Sequence, residues 1–195
     1  LDTVQITGIE TPVDDTDRLL VASSAVIPLF GFPGWTYRNL NEVLLYSGNF
    51  NPEFERSHAL KNNTLGMVGS GSMNRMMILS KPALHRGFED AHSKENVGIH
   101  EFVHLLDKAD GEIDGIPEIF VKEPYIIPWI KLVHQEIEKI KSSATDINPY
   151  GATNESEFLS VVSEYFFNQP LAFKKNHPEL FKVLSGIFHR PDSTE

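Results

Sequence analysis

The chain has 195 residues, with 17 Lys plus Arg against 27 Asp plus Glu and a formal net charge of −10. At roughly 100–200 residues per domain, this length points to one domain over residues 1–195, or two small ones at most, and 41% of the residues are hydrophobic and able to build a core. The acidic balance argues against nucleic acid or an anionic membrane surface as the main partner, and zero cysteines exclude disulfides, thiolate nucleophiles and cysteine-ligated metals.

No apolar run approaches the ~18–20 residues of a membrane span. The most suggestive stretch, residues 19–32, is broken by Ser23, Ser24, Pro28 and Gly31. The expected location is the cytoplasm. Because Leu1 stands first rather than Met, an upstream signal or anchor is left open.

Residues 2–9 alternate loosely through Val4, Ile6 and Ile9 and predict a strand. Asp14 to Asp17 offer helix caps and an acidic first turn, so a helix is expected from Asp15 to Ala25, ending near Pro28. Gly31, Pro33 and Gly34 mark a loop, and Val43 to Tyr46 read as a buried strand. Residues 51–63 are polar and read as loop. Residues 64–69 and 75–80 read as two strands joined through Ser70-Gly71-Ser72, since glycine supplies the positive φ of a hairpin turn. Gly111 to Pro128 is the best surface loop, and a candidate lid. Helices are expected over residues 94–107, 128–142, 154–168 and 178–188, the second with a core face of Trp129, Ile130, Val133, Ile137 and Ile140. Strands first and helices later predict an α+β domain with a small mixed sheet and further C-terminal helices.

His100-Glu101-Phe102-Val103-His104 fits H-E-x-x-H. On a helix, positions i and i+4 share a face, so both imidazoles can reach one Zn2+ at ~2.0–2.1 Å. Glu101 can then take a proton from a zinc-bound water. No Gly or Pro interrupts residues 100–109. A third ligand is sought on the helix over residues 154–168, where Glu157 and Glu164 lie seven apart and share a face among apolar neighbours. Buried carboxylates are costly unless paired or metal-bound. Glu157 is therefore read as the third ligand. Glu164 either orients a ligand histidine through its other ring nitrogen or faces solvent. Asp107 is either a similar partner or simply a residue closing the helix. His58, His85 and His92 read as surface residues in polar loops, His134 as lying on a wet helix face, and His177 as part of a turn before Pro178. Met67, Met73, Met76 and Met77 read as packing residues.

Several further runs accompany the motif: Asn41-Glu-Val-Leu-Leu-Tyr46, Leu105-Leu-Asp107, Asp110-Gly111, Gly115-Ile-Pro117, Tyr150-Gly-Ala-Thr-Asn154, Glu157 and Ser163-Glu-Tyr-Phe-Phe167. Together they resemble the Mlc titration factor A family, zinc metallopeptidases of the gluzincin type, similar in catalytic core to the anthrax lethal factor protease domain. The likeness runs from about Asn39 to Pro191 and leaves the first 38 residues as a divergent extension. It implies a single zincin-like domain, zinc on His100, His104 and Glu157, and Glu101 as general base. It also implies Tyr150 as a hydroxyl donor to the developing oxyanion. The family's Asp/Asn-Pro-Ala-Glu run is Asn154-Glu-Ser-Glu157 here.

The expected activity is hydrolysis of a peptide or protein substrate by a zinc-activated water. Residues 75–80 would lie along the cleft as an edge strand pairing with an extended substrate. The alternative is a regulatory protein-binding module with a weakly active or latent zinc site, since the family's name refers to sequestering a repressor.

Overall fold

Alternating apolar side chains build a small sheet. The computed structural model describes residues 4–48, 65–69, 74–118, 121 and 123–188. Its strands are β1 (Gln5–Ile9), β2 (Glu42–Tyr46), β3 (Gly66–Val68) and β4 (Met76–Ser80), in the order β1-β2-β4-β3. β1 runs parallel to β2 and β2 parallel to β4, while β3 is antiparallel to β4. The sheet is mixed, as expected, but β4 is not its edge. Met77, Ile78 and Leu79 of β4 are fully buried, the signature of a strand covered on both faces. Among the described strands, β1 and β3 stand at the ends of the sheet. The hairpin turn at Ser70 to Ser72 and the polar stretch 51–63 lie outside the described residues.

Helix α1 (Asp15–Val26) opens with a capping box between Asp14 and Asp17. Asp17 is fully buried and takes hydrogen bonds from Lys81 Nζ and His85 Nε2, each at 2.7 Å. Burial pushes its carboxyl up, but these bonds outweigh burial and hold it below its ordinary value. Both partners stand on α2 (Lys81–Glu89), a helix where the sequence reading left loop, so His85 is a helical ion-pair partner. Ser80, whose side chain accepts from the Ala83 N–H, and a proline in the first turn were the signal for it.

Helix α3 (Val97–Asp107) starts three residues later than the periodicity suggests, because the Asn96 side chain caps it at Ile99 N–H. It is buried from Gly98 to Asp107 and packs against α1, β3 and α5 (Glu155–Asn168). α4 (Glu123–Lys141) begins ahead of Pro128, which shortens the expected loop. So near the helix start, the proline removes one backbone bond without breaking the helix. α6 (Pro170–Asn176) was also missed, being too short to show a period, and α7 (Pro178–Ile187) follows at its expected place. Among the described residues, no helix is long and apolar enough to cross a membrane.

The loop before Tyr150 is tied down by Asp146. Its carboxylate accepts from Lys94 Nζ at 2.7 Å, His177 Nε2 at 2.5 Å, Tyr165 OH at 2.8 Å and Asn176 Nδ2 at 3.0 Å. Burial opposes the charge, but these donors hold the carboxyl well below the usual carboxylate range. A depressed folded pKa adds stability above the unfolded value of ~3.9 and loses it as pH falls through the folded value. Asp146→Asn is therefore expected to lower stability at pH 7, with the gap to the unaltered chain closing below about pH 4. Denaturant titrations from pH 7 to pH 3 measure this, and a gap constant throughout would remove the charge from the account.

Candidate metal centre

Two helices supply the site. On α3, His100 and His104 stand one turn apart on the face toward α5, with Glu101 beside them. On α5, Glu157 sits in the first turn, just inside the Asn154 cap, and Glu164 two turns later. The packing of α3 on α5 closes the group.

Glu157 Oε2 lies 3.0 Å from His100 Nε2 and 3.4 Å from His104 Nε2, and the two Nε2 atoms are 3.1 Å apart. A tetrahedral ion with ligands at ~2.0–2.1 Å sets those ligands about 3.3 Å from one another, so the triangle has the right size for one. The far side of His100 fits the same assignment. Its Nδ1 lies 2.6 Å from Glu164 Oε1, which makes Nδ1 the donor to that carboxylate and turns Nε2, the nitrogen an ion would take, towards Glu157 and His104. Glu164 Oε2 also accepts from the Asn96 N–H. Lone pairs and a carboxylate converging in a buried place favour a positive charge there. Burial lowers the His100 pKa, but the charge of Glu164 and the bonds to Glu157 and Glu164 raise it well above its ordinary value, so with no ion present Nε2 favours a proton. Burial likewise pushes Glu157 up, yet its bonds to His100 and His104 hold it well below the carboxylate range. His100, His104 and Glu157 form the one such group able to hold a metal among the described residues.

Glu101 is 4% exposed, and its Oε2 has no hydrogen-bond partner. Burial raises its pKa, against the lowering effect of the two imidazoles. Tyr150 stands on a 3-10 turn, residues 149–152, with its ring centroid 6.0 Å from that of His100. Its hydroxyl is pushed up to about 12 by burial and by the charge of Glu157. Asp107 accepts from the Gly115 N–H at 2.8 Å, while its Oδ1 and His104 Nδ1 are both buried without partners. Burial raises its carboxyl to about 7, offset in part by that hydrogen bond.

The sequence reading missed three participants. Asn96 links the start of α3 to Glu164, and its place three residues before Ile99 was the available signal. Gly115, at φ +79°, presses on the Glu155 carbonyl at the start of α5, and its own carbonyl accepts from Trp129 Nε1 at 2.7 Å. Gly66, on β3, lies against Glu101. His134 is exposed and meets Glu155 rather than the centre, and His177 belongs to the Asp146 cluster.

A sequence model of the family described as glucose-regulated metallo-peptidase M90 matches residues 1–189, taking in the first 38 residues that the motif likeness left out. An uncharacterized protein of Synechocystis is 29% identical over 183 residues, covering 89% of this chain and 66% of its own length. Mlc titration factor A of Pectobacterium atrosepticum is 28% identical over 166 residues, covering 78% and 60%. Mlc titration factor A of Cronobacter sakazakii is 31% identical over 153 residues, covering 73% and 56%. The chain thus spans about three-fifths of the length of the curated relatives it matches.

Glu164→Gln keeps the size of the side chain and removes the charge that fixes His100. It is expected to weaken metal binding by ~10–100-fold. Competition with a chromophoric chelator measures this, and unchanged affinity would mean that Glu164 does not orient the ligand.

Proposed function

The chain belongs to the glucose-regulated metallo-peptidase M90 family, and from that premise we propose that it is a zinc-dependent peptidase. The observation that carries the reading is the pairing of a closed His100–His104–Glu157 triangle with a buried carboxylate oxygen of Glu101 that no protein donor satisfies. A metal site with only a structural role has no use for Glu101.

In this reading His100 Nε2, His104 Nε2 and a Glu157 carboxylate oxygen hold the ion, and Glu164 keeps the His100 proton on Nδ1. When bound, zinc supplies Lewis acidity, lowering the pKa of water in the site towards ~7 and polarising the scissile carbonyl. Glu101 takes the proton of the attacking water on its carboxylate and returns it to the leaving amine nitrogen. A carboxyl raised by burial suits both steps, because it is a better base than an exposed one and still releases the proton. The Tyr150 hydroxyl, protonated throughout the neutral range, donates to the carbonyl oxygen as its charge builds. β3, the end strand that lies against Glu101, offers backbone groups to an extended peptide, a role the sequence reading gave to β4.

A second reading, a regulatory protein-binding role, draws on the name Mlc titration factor A carried by relatives. It draws also on a groove of about 800 Å3 between α4 and α7, where Tyr125 and Ile127 are exposed.

Turnover of short chromogenic peptides is expected to vanish with chelator and return with zinc. Glu101→Gln is expected to keep zinc and lower kcat by ~100–10,000-fold. Tyr150→Phe is expected to lower kcat by ~100–1,000-fold with zinc affinity unchanged. Steady-state kinetics beside metal analysis reads all three. One zinc per chain without any turnover would favour the binding role.

A further inference from the structure

We infer that Gly66 is a positioning residue for Glu101: its missing side chain, on β3, is the space in which the Glu101 carboxylate is seated. The inference rests on the reading of Glu101 as general base and adds what holds that base in place.

A Cβ on Gly66 would lie 2.5 Å from Glu101 Oε1, 2.6 Å from its Cγ and 2.8 Å from its Cδ. Such approaches are far inside van der Waals contact, so something would have to move. The strand is pinned at both ends. Ser80 N–H donates to the Leu65 carbonyl at 2.8 Å, and Gly69 N–H donates to the Met76 carbonyl at 2.8 Å. Lys108 Nζ, just past α3, holds the Gly69 carbonyl at 2.9 Å. α3 is buried along its length and cannot retreat. The yielding partner is the Glu101 side chain, whose Oε2 is held by no hydrogen bond. Packing against the bare backbone of residue 66 therefore sets where the carboxylate points. Gly66 opens β3, and close approach of another group is one of the reasons a strand carries glycine.

The test uses Gly66→Ala, Glu101→Ala and the double variant in the full chain. Unfolding of the chelator-treated proteins reads the contact without reference to activity. Gly66→Ala is expected to lower Tm modestly, and to leave it nearly unchanged in the Glu101→Ala background, where the added methyl enters vacated space. Equal losses in both backgrounds overturn the inference. If Gly66→Ala alone fails to fold and the double variant folds, the contact stands. If neither folds, the glycine serves the backbone and the inference falls. On the active enzyme, Gly66→Ala is expected to keep zinc affinity and KM within about threefold while kcat falls ~10–100-fold, the effect of misplacing a reacting group by about an ångström. Full kcat in that variant overturns the positioning role. Should the unaltered chain show no turnover, the peptidase reading fails, and the unfolding cycle still decides the contact between residues 66 and 101.

Discussion

Two carboxylates, Glu157 and Glu164, and two imidazoles, His100 and His104, are packed together where α3 meets α5, largely out of reach of water. Buried charges of one sign are costly, and the cost is met only by a compensating charge and by hydrogen bonds to every remaining lone pair. Much of the surrounding structure answers that demand. Glu164 is satisfied twice, by the His100 ring and by the backbone N–H of Asn96. Asn96 in turn caps α3, so the residue that starts the helix also holds the carboxylate that orients His100. On its other side His100 turns Nε2 towards Glu157 and His104, and that group could hold a cation.

The geometry of this centre was legible because it lies on regular helices. His100 and His104 repeat at one turn, Glu157 and Glu164 at two, and a spacing of that kind survives any uncertainty over where a helix begins. The mixed sheet and most helices were legible for the same reason, since periodic apolar residues announce them. What escaped detection depended on contacts remote in sequence. Lys81 and His85 look like surface residues until Asp17, 64 and 68 positions away, is buried against them. β4 looked like an edge because its burial on both faces comes from neighbours that the strand itself does not encode. Tyr150 was found by likeness to a family rather than by spacing, for it sits in a short 3-10 turn where no period applies, whereas Asp107 was found from its place three residues after His104.

The loop between α3 and α4 explains how α3 and α5 keep their mutual position. Asp107, at the end of α3, holds the Gly115 N–H, and the Gly115 carbonyl holds the Trp129 indole on α4. Trp129 is buried against Phe158, the residue that follows Glu157. Gly115 itself abuts the Glu155 carbonyl, and any Cβ there would collide with the first turn of α5. One short chain of contacts thus runs from the last turn of α3, through a glycine in the left-handed region, to the turn that carries Glu157. Fixing the ends of both helices to the same glycine leaves the distance between His104 and Glu157 little freedom to change. That rigidity also accounts for the burial of Asp107, a charged residue whose carboxyl is raised by its surroundings and whose one hydrogen bond spans the loop. Its place is kept by the geometry it imposes on its neighbours, a constraint that no local pattern in the chain expresses.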